Sequence, residues 1–334
     1  GARVDGAMTV LKIAIVFFVV IVGFFYVKAS NFTPFIPPSQ PASTVEGSSA
    51  VTGVMTQPLW QFATGMTPSV YGVPGILSGA ALVFFAFIGF DVVATASEET
   101  KNPHKNVPLG IGVGMLLIIV MYMLVAVVTT GMVSYADLAK QDSPSLATAF
   151  ELVGADWAAK IISFGIVLGL ATVVMVLLLG LTRIVFAMSR DGLLPRGLSK
   201  TGKHGTPAAL QIVVGAVVAL VAAFFDIGVL SDMVNIGTLS AFTLVAISIP
   251  IMRKKRPDLP RAFKMPGSPW IPILIAVANF WLMLNLSVLT WIRFVVWLVV
   301  GFAIYFGYGY WHARLGKGDL TETLSAETDK AVNG

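Results

Sequence analysis

The chain has 334 residues, of which 56% are hydrophobic and only 12% charged, and it contains no cysteine. Soluble domains carry about 25% charged residues, so this composition excludes an ordinary cytosolic enzyme and points to a protein that crosses a membrane many times. The missing cysteines exclude disulfides, thiolate metal sites and cysteine catalysis. The net charge of +5 would suggest nucleic acid only if the basic residues lined a soluble face, and they do not.

A helix needs about 20 apolar residues to cross the hydrocarbon core. In chain order, eight stretches qualify: 8–27, 75–98, 109–132, 157–187, 208–225, 229–252, 270–289 and 291–311. None alternates like a barrel strand, and each is too long to be one. The expected fold class is an all-α polytopic membrane bundle, a single transmembrane domain over 1–312. Residues 28–74 are rich in Pro, Ser, Thr and Gly and read as a long extracellular loop, in which Asn31-Phe32-Thr33 fits a glycosylation sequon. Residues 313–334 read as a disordered cytoplasmic tail.

Orientation follows from the basic residues between the spans. Of the 22 Lys and Arg, 16 fall in one set of connections (1–7, 99–108, 188–207, 253–269 and 312–334). The opposite set holds only Lys28 and Lys140, and Lys12, Lys160, Arg183 and Arg293 lie in or at the edge of spans. Both termini are therefore expected in the cytoplasm, with the protein integral to the cytoplasmic membrane. The run Arg253-Lys254-Lys255-Arg256 reads as a topology anchor, an anionic-lipid site being the alternative. The opening Gly1-Ala2-Arg3-Val4-Asp5 does not read as a natural start, so an N-terminal part is expected to be absent from this chain.

Three features interrupt the apolar pattern. The first is Phe84-Phe85-Ala86-Phe87-Ile88-Gly89-Phe90-Asp91 in the second span. A carboxylate at mid-membrane costs about 2.5–3.5 kcal/mol on insertion scales, so it is functional or paired. Gly89 weakens the helix beside it, and a break there would leave carbonyls at the negative end of a half-helix, suited to an ammonium group. The alternative is a continuous helix with Gly89 in packing and Asp91 bonded to a neighbour. The second feature is Lys12, five residues into the first span, which either has a function at depth or snorkels to the interface. The third is the long span 157–187, where Gly165, Gly169 and Thr172 follow one face and allow close approach of a helix or a ligand; Arg183 near its end snorkels.

Catalytic signatures are missing. The sequence has no HExxH, no GxSxG in a suitable setting and no phosphate-binding GxxxxGK[ST]. His104, His204 and His312 lie in separate segments with no metal-ligand spacing, and Asp91 is the sole acid at depth, too few for an aspartyl site. No repeated filter or charged ring suggests a channel. No catalytic residue, metal or cofactor is expected.

The segment from Phe84 to Asp91, followed by Ser97-Glu98-Glu99-Thr100-Lys101-Asn102-Pro103 and Pro108, resembles the sixth helix and following loop of cationic amino acid transporters, within the amino acid–polyamine–organocation superfamily. Ala187-Met188-Ser189-Arg190-Asp191-Gly192-Leu193-Leu194-Pro195 is similar to the loop after helix eight, Arg253 to Pro266 to the basic loop after helix ten, and Lys12-Ile13 with Phe35-Ile36-Pro37 to helix five and its outer loop. The resemblance implies helices five to twelve of a twelve-helix, inverted-repeat transporter of the leucine-transporter-like fold, without the first four helices. It implies that the carbonyls of Phe85, Ala86 and Ile88 receive a substrate amine, with Phe87 between them, that Gly89 permits the break, and that Asp91 lies just beyond. Leu170 would shape the side-chain end of the pocket. Lys12 would stand where related transporters hold sodium, with Thr172 as a hydrogen-bond partner. The implied function is proton-linked amino acid transport by alternating access. The alternative is a non-transporting interaction or sensor subunit on the same fold. Expected partners are an amino acid and membrane lipid, with a small membrane-protein subunit a further partner, and no nucleic acid.

Overall fold

The computed structural model describes residues 2–44, 53–90, 100, 102–141, 144–199, 208–257, 265 and 267–313. Asp91, the last third of the expected 75–98 span (residues 91–98) and the tail from 314 on lie outside the described residues. Helices account for most of the rest. The uninterrupted apolar runs form α1 (Ala2–Phe24), α4 (Pro103–Met132), α7 (Asp156–Arg190), α9 (Ile227–Lys255) and α11 (Val288–Ile304), the last extended by a wider π turn and one short helical turn to His312. Between them stand the shorter apolar helices α3 (Gly72–Val83), α8 (Ala208–Phe224) and α10 (Trp270–Leu284). Among the described residues, five helices are long and apolar enough to cross a membrane. Among the described residues, the eight apolar stretches thus correspond to five long helices and three shorter ones. The reasons are local: α3 loses helical geometry before its apolar run ends, and α10 stops at Asn285.

The segment read as a long extracellular loop, 28–74, carries short elements of its own among its described residues. It holds α2 (Leu59–Thr64) and the two-residue strands β1 (Gln40–Pro41) and β2 (Ser69–Val70), paired antiparallel with Gln40 opposite Val70. Backbone bonds tie it to the turn between α10 and α11: Leu59 N–H donates to the Leu286 carbonyl at 3.0 Å and Leu289 N–H to the Met55 carbonyl at 2.8 Å. The Trp60 indole N–H donates to Asn285 Oδ1 at 3.0 Å. Pro, Ser and Gly in the sequence hid these long-range pairings, which local pattern cannot register.

The connection after α4 is built from two short capped helices. Ser134 caps α5 (Tyr135–Ala139), accepting from the Asp137 N–H and donating to its carboxylate at 2.7 Å. That hydrogen bond, followed by the Lys140 ammonium, holds the Asp137 carboxyl below the ordinary carboxylate range. Ser145 and Thr148 form a reciprocal capping box on α6 (Leu146–Leu152), satisfying two backbone donors that a helix start leaves open.

The chain divides into two compact units, residues 1–175 with 231–291 and residues 176–230 with 292–334. In the first, the core joins α1, α4, α6 and α7 through Val19, Val128, Phe150, Ala158 and Ile162. Alanine at 147, 149, 155, 158 and 159 lets these elements approach closely, the rule for helices that meet in lipid. Large apolar side chains elsewhere on the long helices point outward, among them Val113, Phe164 and Val167, as a lipid-facing surface requires. In the second unit the Ser189 hydroxyl donates to the Pro195 carbonyl at 2.7 Å, closing the turn after α7, and His312 stacks on Tyr308 at 4.1 Å between ring centroids.

Candidate functional site

The helical ladder of α3 ends at Val83. Residues Phe84–Phe87 tighten into a 3-10 turn, Ile88 is extended with ψ of 137°, and Gly89 has φ of 122°. Only glycine enters that region without strain. In a continued helix the Ala86 carbonyl would accept from the N–H four residues on, and the extended Ile88 removes that option. The Tyr122 hydroxyl of α4 takes its place, donating to the Ala86 carbonyl at 2.7 Å. Ile88 N–H donates to the Phe85 carbonyl at 3.2 Å. The segment is also gripped by rings. Phe87 meets Tyr122 edge-on at 5.0 Å, and Phe242 of α9 packs near Phe84 at 6.2 Å and Phe90 at 5.3 Å. Asn235 of α9, fully buried, reaches the Leu82 carbonyl at 3.4 Å through its amide nitrogen.

Lys12 belongs to a second cluster. It lies half-buried on α1 in a narrow crevice against α7, lined by Met8, Leu11, Ile15, Gly165, Leu168 and Gly169. A Cβ on Gly165 would collide with the Ile15 side chain, and one on Gly169 would come to 4.0 Å from the Lys12 stem. Close approach of α1 therefore depends on the small-residue stripe. Thr172, one turn further along α7, donates its hydroxyl to the Gly169 carbonyl at 2.8 Å. Leu170 stands on the same helix with 59% of its surface exposed. Of the sequence-derived residues, Phe85 to Gly89 thus form one group on the interrupted segment and Lys12 and Gly169 another at the α1–α7 contact, while the hydrogen bond shown for Thr172 stays within α7. Asp91 lies outside the described residues.

A cavity of about 740 Å³ opens beside the start of α9. Leu82, Tyr71, Tyr135, Ser78 and Asn285 line it, with Asp232, whose carboxylate accepts from the Thr290 hydroxyl at 3.1 Å. Among the described residues no group of three or more His, Asp or Glu could hold a metal. Sequence reasoning missed Tyr122, Asn235 and Phe242. The available signal was a polar handle inside an apolar run, as in Met121-Tyr122-Met123, since a hydroxyl at depth needs a partner.

The profile of the amino acid permease family matches residues 1–309. The chain belongs to that family. It is 42% identical to a branched-chain amino acid permease of Bacillus subtilis (strain 168) over 94% of this chain and 61% of the permease. It is 39% identical to the methylthioribose transporter of the same organism, over 95% of this chain and 61% of that protein. A cationic amino acid transporter of Arabidopsis thaliana is 45% identical over 58% of this chain and 31% of its own length. The chain thus spans about three-fifths of the length of the bacterial relatives, 61% in each. Permease relatives and long apolar helices make this an integral membrane protein, and the relatives are transporters rather than enzymes.

Proposed function

We propose that the chain forms helices five to twelve of a secondary active transporter of amino acids in the cytoplasmic membrane, with eight crossings, both ends in the cytoplasm and alternating access of an inverted-repeat fold. The observation that carries this reading is the interruption at Ile88 and Gly89 within an apolar segment. Irregular backbone is tolerated at membrane depth only where protein or a water-filled cavity satisfies it, and half-helix ends are the means by which transporters hold charged substrate groups. In this reading the carbonyls of Phe85, Ala86 and Ile88 receive the substrate ammonium, Phe87 and Asp91 flank the break, and Leu170 faces the substrate side chain. A carbonyl has two lone pairs, so the contacts already made by Phe85 and Ala86 leave each able to accept once more. Lys12 supplies a fixed charge at the α1–α7 contact and carries the coupled proton, with Thr172 beside it.

The test is uptake by the full-length protein reconstituted in vesicles. Branched-chain and cationic amino acids, the classes named for its relatives, should enter faster under an inward proton gradient without sodium. A second substrate reading rests on the methylthioribose relative, whose sugar lacks an ammonium group. Uptake of methylthioribose with no uptake of any amino acid would overturn the amine-site reading. No uptake of either solute would favour a non-transporting subunit.

A further inference from the structure

We propose that Tyr122 is the positioning residue of the amine site, orienting the Ala86 carbonyl toward a primary ammonium group. This rests on the reading of Phe85 to Ile88 given above. A backbone carbonyl stripped of its helical partner in an apolar region is costly to leave unmet. It can also rotate as the peptide plane tilts, and a substrate amine would then meet an acceptor of undefined direction. Tyr122 removes that freedom in two ways. Its hydroxyl donates to the Ala86 oxygen at 2.7 Å, inside the range of a strong O–H···O bond. Its ring meets Phe87 edge-on, with centroids 5.0 Å apart and planes at 66°, so the residue next to the carbonyl is held by the same side chain.

One lone pair of the Ala86 oxygen is thereby occupied and the other is aimed. The phenol oxygen keeps its own lone pairs, and a hydroxyl that donates becomes a better acceptor. An ammonium approaching Ala86 consequently finds two oxygens 2.7 Å apart, one of them from α4. A 2-hydroxy acid of the same carbon skeleton offers a single uncharged O–H donor, which cannot bond both oxygens at once. Discrimination for the amine therefore depends on Tyr122, while recognition of the carboxylate and side chain does not.

Tyr122→Phe removes one oxygen and keeps the ring against Phe87. In the full-length protein reconstituted in vesicles, KM for the transported amino acid should rise about five- to twenty-fold with the maximal rate within about two-fold of wild type. The inhibition constant of the matching 2-hydroxy acid should stay unchanged. A purely structural hydroxyl would weaken the amino acid and the hydroxy acid alike, and that result, or an unchanged KM, overturns the proposal. Absence of amino acid uptake in the wild type instead removes the amine-site reading on which it rests, and the proposal falls with it.

Discussion

Gly165 lacks a side chain where Ile15 of α1 occupies the space a Cβ would need, and the stem of Lys12 lies beside Gly169 one turn along the same face. The lysine stem is thus packed against α7. If the coupling role holds, Lys12→Ala in the full-length protein abolishes the acceleration of uptake by an inward proton gradient, while substrate binding measured at equilibrium changes little. Lys12→Arg fails in the same assay, since arginine stays charged at any working pH. Undiminished proton stimulation in Lys12→Ala would reduce Lys12 to an interfacial anchor. The presence of Lys12 and the small residues was legible in the sequence. Their facing one another was not, because sequence spacing fixes neighbours only within one helix.

The interrupted element shows how backbone conformation and side-chain contacts cooperate. Gly89 has open space where a Cβ would stand yet sits at φ of 122°, so a substitution there meets strain and no clash. Gly79 lies within the regular part of α3 with the same open space and no positive φ. Gly89→Ala is expected to cost about 1–3 kcal/mol and to lower the melting temperature of the detergent-solubilised protein along with its transport rate. Gly79→Ala should be neutral or stabilising by about 0.5–1 kcal/mol, since alanine gives up less entropy in a helix. Equal behaviour of the two variants would show that the conformation at Gly89 is not needed. A glycine beside aromatic residues in an apolar run marks a weak point from sequence alone. The closing of that gap by Tyr122 and Phe242 needed the packing of α4 and α9, since partners so far apart in the chain leave no trace in local periodicity.

At the level of the molecule, topology is the quantity most open to test. In the proposed orientation residue 43 lies on the outer side, and because these 334 residues contain no cysteine, a single thiol introduced here is readable once any cysteine elsewhere in the full-length protein is replaced by serine. A Ser43→Cys variant of the full-length protein in intact cells should react with a membrane-impermeant maleimide added outside. Reaction only after the cytoplasmic side is opened would reverse the orientation. The membrane character and the helical class were written in composition and hydropathy, because transfer of about 20 apolar residues into lipid is favourable whatever the rest of the chain does. The tertiary structure alone decided three things: that 28–74 is pinned by Leu59 and Trp60 to the α10–α11 turn, that a cavity forms around Asp232 and Asn285, and that Tyr122 meets Ala86. Each joins residues distant in the chain, and such contacts depend on shape and register between elements, which one sequence read residue by residue does not carry.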